Sequence, residues 1–321
     1  TPGPRSLLSP YPEVFSPFST FLALSLSSDW NDQLDMQYAK YSLAITKNRL
    51  LKKFGLTLTR FDNNISRTLS LVNDLKKCKL LNSCTLDVPI SNDRLLMVVS
   101  FLKTARLLQT LHLKVGKPIA LKVGKALMKI APFLKNLKKF SLELETYMKK
   151  GELHFIIVGL SKLHSLEALQ LRFLTSGEKT NDKYSKYLEG LVTHIQDWKC
   201  LRSLSLDVSK FDLPKSFLSK MLNEIKEAEF SLKNLGLKFN SIKEIGEELA
   251  SCIITMDKLE HLEISSWGMY VRDDNQEVEE AIGKLKWLQS LKFYHPSPPE
   301  KNPLNFKAES LKALEIAWFP A

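Results

Sequence analysis

The chain has 321 residues, of which 44% are hydrophobic and 25% charged, and a formal net charge of +11. This composition excludes a disordered or collagen-like chain, and the length exceeds that of one compact core, so two domains or an extended repeat are expected. No apolar run reaches the ~18 residues needed to cross a bilayer, so no membrane span is expected.

Residues 1–17 contain Pro2, Pro4, Pro10, Pro12 and Pro17 and read as an extended or disordered N-terminal arm, distinct from a folded domain over 18–321. The apolar stretch Phe18–Leu26 is short and lacks a charged leader and a starting Met, which argues against a signal peptide. Within it, Leu22-Ala-Leu24-Ser-Leu26 has the period-2 alternation of a half-buried strand.

That alternation returns ten times. Its first inward residue is Phe54, Cys84, Leu111, Phe140, Leu169, Leu204, Leu235, Leu262, Leu291 or Leu314, and a second apolar residue follows two places later. Three residues before each stands a leucine: Leu51, Leu81, Leu108, Leu137, Leu166, Leu201, Leu232, Leu259, Leu288 or Leu311. From Leu22 onward the intervals are 32, 30, 27, 29, 29, 35, 31, 27, 29 and 23 residues, the range in which repeat architectures are built. Helical spacing appears between strands, as at Ile65, Leu69, Val72 and Leu75, and at Leu188, Leu191, Val192 and Ile195. Pro89, Asn92, Asp93, Pro118 and Pro214 are suitable helix starts. The 35-residue step around Thr175–Ser185 and the acidic Trp267–Glu280 stretch read as longer loops, and His295–Pro303 as a proline-rich link that replaces a helix.

Strand, helix, strand in one direction requires a parallel sheet. Strands lie ~4.8 Å apart and helices ~8–10 Å, so a stack with strands on one side and helices on the other must curve, strands inside. The stretch SLKNLGLKFNSI at 231–242 has the spacing Leu-x-x-Leu-x-Leu-x-x-Asn-x-Ile. On these motifs, over roughly residues 20–318, the chain resembles leucine-rich-repeat proteins of the ribonuclease-inhibitor-like kind. The resemblance implies an α/β horseshoe of about eleven irregular repeats, with the sheet concave and the helices convex. It also implies that Asn240 stands at a ladder position which satisfies turn backbone groups. The corresponding positions hold Gly116, Leu174 or Ser209, where other groups must do this.

The charge is unevenly placed. Residues 94–142 contain eleven bases and no acid, while the rest of the chain balances at 35 against 35. Lys122, Lys125 and Lys129 share one helical face, opposite Leu127, Ile130 and Leu134. With Lys117 and Lys135 they form a candidate convex patch for an anionic partner, RNA or an acidic protein. The patch offers no aromatic platform for base stacking, because the repeat assigns Phe101, Phe133 and Phe140 to the core or its edge. The concave positions carry six bases and five acids, a surface suited to protein rather than nucleic acid. His112, Lys114, Glu143, Arg172, Asp207, Lys238, His261 and Tyr294 are the candidate contacts there.

Catalytic motifs are missing. Gly116–Gly124 lacks a phosphate-loop ending, and no Gly-x-Ser-x-Gly elbow occurs. The six histidines show no metal spacing. Glu143 and Glu145 could pair as acid and base, but Lys114 and Arg172 on adjacent strands offer ion pairing instead. Four scattered cysteines fit a reducing compartment, with Cys84 read as a small core residue. The expectation is a non-catalytic protein-binding scaffold without a cofactor, part of an intracellular, cytoplasmic complex, with nucleus and organelle left open. The alternatives are an RNA- or ribonucleoprotein-associated subunit using the basic patch, and a substrate-recognition adaptor.

Overall fold

A computed structural model of the chain describes residues 21–26, 42–48, 50–58, 71–87, 92–115, 120–144, 152–174, 185–211, 213–228, 231–240, 245–266, 274–295 and 311–318. The proline-rich arm, Gly116, Lys117, Glu145 and the Pro296–Pro303 segment lie outside these residues. So do Ile65, Leu69, Pro89, Pro118 and residues 175–184.

The leucine alternation becomes eleven strands: β1 (Phe21–Leu26), β2 (Lys53–Leu58), β3 (Ser83–Asp87), β4 (Thr110–Val115), β5 (Lys139–Leu144), β6 (Ala168–Phe173), β7 (Ser203–Asp207), β8 (Asn234–Phe239), β9 (His261–Ser266), β10 (Ser290–His295) and β11 (Ala313–Trp318). They form one parallel sheet in strict chain order. Register places the first inward residues in a single row from Leu22 through Phe54, Cys84 and Leu111 to Leu314. A parallel sheet demands crossovers, and these are mostly helical. They are α1 (described over 42–47), α2 (71–74), α3 (Asn92–Leu102), α4 (Ala120–Ile130), α5 (Glu152–Ser161), α6 (Ser185–His194), α7 (Lys215–Glu227), α8 (Gly246–Ile254) and α9 (Asp274–Gly283). Pro214 stands at the N-cap of α7 with extended backbone, and its carbonyl accepts from the Phe217 and Leu218 amides (3.0 and 3.2 Å).

The core is a single layer between sheet and helices. Leu111, Leu142, Leu169, Leu204 and Leu262 enter it from the strands, and Phe101, Leu127, Ile157, Leu191, Leu222 and Ile253 from the helices. One rung differs: Leu314 on β11 is 48% exposed, whereas Leu22 on the other edge strand, β1, is 5% exposed. The expected loop over Trp267–Glu280 is corrected from Asp274 on. There α9 forms because Val278, Ala281 and Ile282 share one buried face at helical spacing. Phe133 is also corrected, standing 44% exposed in the short 3-10 turn Ala131–Phe133 after α4.

The turn entering each strand is the most regular part of the fold. The amide of the conserved-spacing leucine donates to the carbonyl three residues back, as in Leu137→Leu134 (3.0 Å), Leu201→Trp198 (2.9 Å) and Leu259→Met256 (3.1 Å). The next residue then donates to the same place in the turn before: Asn82 to Lys52, Gln109 to Asn82, Lys138 to Gln109 and onward to Lys312 on Gln289, at 2.7–2.9 Å. At the strand exits, Leu174 N–H reaches the Leu144 carbonyl (2.7 Å). Ser209 donates from both N–H and Oγ to the Asp207 carboxylate. These bonds satisfy turns that lack the motif asparagine.

Cys84 lies in the inward row and burial pushes its thiol well up. Burial pushes Cys252 up to about 12 and, helped by the Asp74 carboxylate and opposed by Lys77, pushes Cys78 up to about 11. Cys200 is exposed in a turn, and all four cysteines are free thiols. Thiolate is the reactive form, so at about pH 8 a disulfide reagent should titrate Cys200 rapidly, and Cys78, Cys84 and Cys252 only after denaturation. Mass-spectrometric mapping of the modified peptide checks this.

Candidate functional site

Each strand sends alternate residues to the face opposite the helices, and on that open face three polar rows cross the sheet. One row carries the sharpest pattern. Lys114 (β4), Glu143 (β5), Arg172 (β6), Asp207 (β7) and Lys238 (β8) are direct register partners, strand by strand. The signs alternate at every step, so Glu143, Arg172 and Asp207 each have opposite charges on both sides at the ~4.8 Å strand spacing. Arg172 sits between two acids, its Nη1 3.7 Å from Glu143 Oε1 and its Nε 3.4 Å from Asp207 Oδ2. Asp207 is only 8% exposed, and the two Ser209 donors share its load. Lys238 reaches diagonally to Glu263 Oε1 (2.6 Å).

The neighbouring row is neutral over most of its length: His112, Ser141, Gln170, Ser205 and Gly236 in register. Ser141 Oγ donates to Gln170 Oε1 (3.1 Å), so its one proton is committed there. His112 Nδ1 lies 2.8 Å from the same Oγ, so the line His112–Ser141–Gln170 is joined across three strands. Toward β11 the row becomes charged again, with Lys292 and Glu315 paired at 2.7 Å.

The predicted open-face residues therefore divide. Lys114, Glu143, Arg172, Asp207 and Lys238 form one row, with His112 beside its end. His261 lies on β9, exposed, in the row that begins the strands. Tyr294 continues the charged row's register on β10 through Ser265, while its side chain is outside the described residues. Sequence reasoning named the members but not their strict alternation. The signal was present: the five residues occupy the same place in consecutive repeats.

Among the described residues the bases of this window divide between surfaces. Lys114 is on the open face, whereas Lys125 and Lys129 are exposed on α4 in the helix layer. Lys125 Nζ lies 5.4 Å from the Phe155 ring centroid of α5, a cation–π contact. Lys135 stands instead in the turn after α4, at the edge of the sheet, with Lys138 and Lys139. The Lys122 side chain is outside the described residues. Window and face disagree because neighbours on a stacked surface are about 30 residues apart in sequence.

Among the described residues no group of three His, Cys, Asp or Glu could hold a metal ion, and no helix is long and apolar enough to cross a membrane.

Arg172→Glu should place three acids in line on β5, β6 and β7. The expected loss is about 1–2 kcal/mol, more than the few tenths to 1 kcal/mol of an ordinary surface pair, because Asp207 is nearly buried. Urea melts should show this loss shrinking in about 1 M salt, where the Debye length is ~3 Å. Arg172→Ala should cost less. No protein-family model matches the chain, and no curated protein matches its sequence.

Proposed function

We propose that the chain is a leucine-rich-repeat protein, ribonuclease-inhibitor-like in kind, that acts as a non-catalytic scaffold in a larger intracellular complex and binds a protein partner on the open, concave sheet face. The alternating row Lys114–Glu143–Arg172–Asp207–Lys238 carries this reading. Long charged side chains ordinarily lose rotamer freedom when a partner fixes them, at about 0.5–1.5 kcal/mol each. Here neighbouring strands already restrain Arg172 and Asp207, so much of that ordering precedes binding. The row alternates in sign and nets only +1, which disfavours a polyanion and suits a polypeptide with its own mixed charges. The adjacent His112–Ser141–Gln170 line adds hydrogen-bonding groups of both kinds.

A photo-crosslinking residue placed at exposed Gln170 in the native source should yield a discrete protein adduct, weakened by Arg172→Glu. Adducts from a control position on the helix layer, such as Lys220 in α7, with none from Gln170, would overturn this reading.

A further inference from the structure

The stacked turns that lead from helix to strand form a second surface, independent of the open face. Each turn has one residue immediately before its repeat leucine. In the second to fourth repeats that residue is Leu50, Leu80 and Leu107, which are 44%, 39% and 47% exposed. The fold does not require leucine there. The same place holds Asn136, whose Nδ2 donates to the Arg106 carbonyl (2.8 Å), and Ser165, whose Oγ donates to the Lys135 carbonyl (2.9 Å). It then holds Cys200, Ser231 and Lys258, and in the tenth repeat a lone Trp287, 63% exposed and six repeats beyond the leucine file. Polar residues thus serve this position and can bond the turn before, whereas three leucines in consecutive repeats leave apolar surface in water.

The turns are locked together by the Asn82→Lys52 and Gln109→Asn82 backbone bonds (2.8 and 2.7 Å), so the three leucines stand in single file at about the strand spacing, ~4.8 Å. Charge is concentrated toward the same end. Over 47–53, 77–83, 104–110 and 133–139 there are ten bases and no acid; over 162–168, 197–203, 228–234, 255–261 and 284–290 there are seven bases and five acids. Lys79, Arg106 and Lys135, all exposed, form a basic row directly beside the leucines and make no ion pair among the described residues.

We propose that this edge of the first repeats is a docking strip for an acidic amphipathic helix of a partner protein. Charge complementarity selects acidic residues. Spacing selects a helix: its apolar stripe presents about one contact per 5.4 Å turn, close to the interval between leucines, whereas same-side residues of an extended chain repeat at ~6.6 Å. Three leucines and the base at Lys135 extend ~15 Å, the length of about ten helical residues. A single file of half-exposed leucines with polar Asn82 and Gln109 on its flank fits a helix better than a lipid surface, which would have to bury that flank too.

The test uses the full chain and a fluorescein-labelled peptide of about eighteen residues, five helical turns, with leucines along one face and glutamates elsewhere. The stripe peptide should bind at least about tenfold more tightly than one of the same composition with scattered leucines, a gap of ~1.4 kcal/mol. Leu80→Ser with Leu107→Ser, which copies Ser165 and Ser231, should erase that advantage without moving thermal unfolding. Arg106→Glu with Lys135→Glu should weaken both peptides. Equal binding of the two peptides, or none, would overturn the proposal. So would binding confined to polyuridylic acid, or to vesicles containing about 30 mol% phosphatidylserine, since these show a general anion or lipid surface instead.

Discussion

Trp198→Ala is expected to cost about 3–5 kcal/mol, the largest loss of any single change considered for this chain. Trp198 is fully buried and occupies the place in its turn that Leu134, Leu163, Met256 and Leu285 fill elsewhere. Its indole N–H crosses to the previous repeat and donates to the Leu160 carbonyl at the end of α5 (3.0 Å). Truncation therefore opens a cavity in the layer shared by two repeats and breaks a side-chain bond between them. Trp198→Phe separates the two effects. It retains most of the apolar contact, and the Leu160 carbonyl still accepts from Leu163 N–H (2.9 Å), so no acceptor is orphaned. Its cost should be about 1–2 kcal/mol. Urea midpoints check both. Hydrogen exchange should place the Trp198→Ala loss first in the repeats of α5 and α6, and a uniform loss along the chain would refute a local tie.

Gly159→Ala and Gly283→Ala should have opposite signs. Alanine is the better helix former by about 0.5–1 kcal/mol, so the exchange stabilises a helix that has room for it. At Gly283, the last residue of α9, an added Cβ meets nothing within 4 Å, and a small gain is expected. At Gly159 in α5 the same atom would lie 2.9 Å from the Met128 backbone N and 3.0 Å from Leu127 Cβ in α4. Backbone cannot swing aside as a long side chain can, so α4 and α5 must separate and loosen the packing of Leu127, Ile156 and Ile157. Overpacking of this kind costs about 1–3 kcal/mol, which outweighs the propensity gain. Paired thermal melts measure both signs. A Gly159→Ala protein as stable as the parent would show that the two helices are free to move apart.

These two sites also mark what the sequence could disclose. The strands were legible because period-2 leucines at fixed offsets, such as Leu235 and Leu237 after Leu232, recur with each repeat. Most of the buried rows followed from that alone. The value of Gly159 was hidden, since it depends on which helix lies opposite. Trp198 looked like one more apolar residue until the Leu160 carbonyl gave its N–H a destination. Leu314 matched the motif and still emerged exposed, while Leu22 at the opposite edge of the sheet is buried, so the motif alone does not set burial. The basic window around Lys125 and Lys135 was visible as composition, but its division among open face, helix layer and turn edge required the register. For the same reason Leu50, Leu80 and Leu107, each unremarkable alone, became a row only once their turns were stacked.

The amide-to-carbonyl chain that runs from Lys52 to Lys312 has a mechanical consequence. Among the described residues the strand pairings and turn bonds of each coil run to the coils beside it, so force applied at the ends meets these ties one at a time. Extension in an optical trap should strip coils one after another from an end. Each event would release some thirty residues, or about 100 Å of contour at ~3.5 Å per residue.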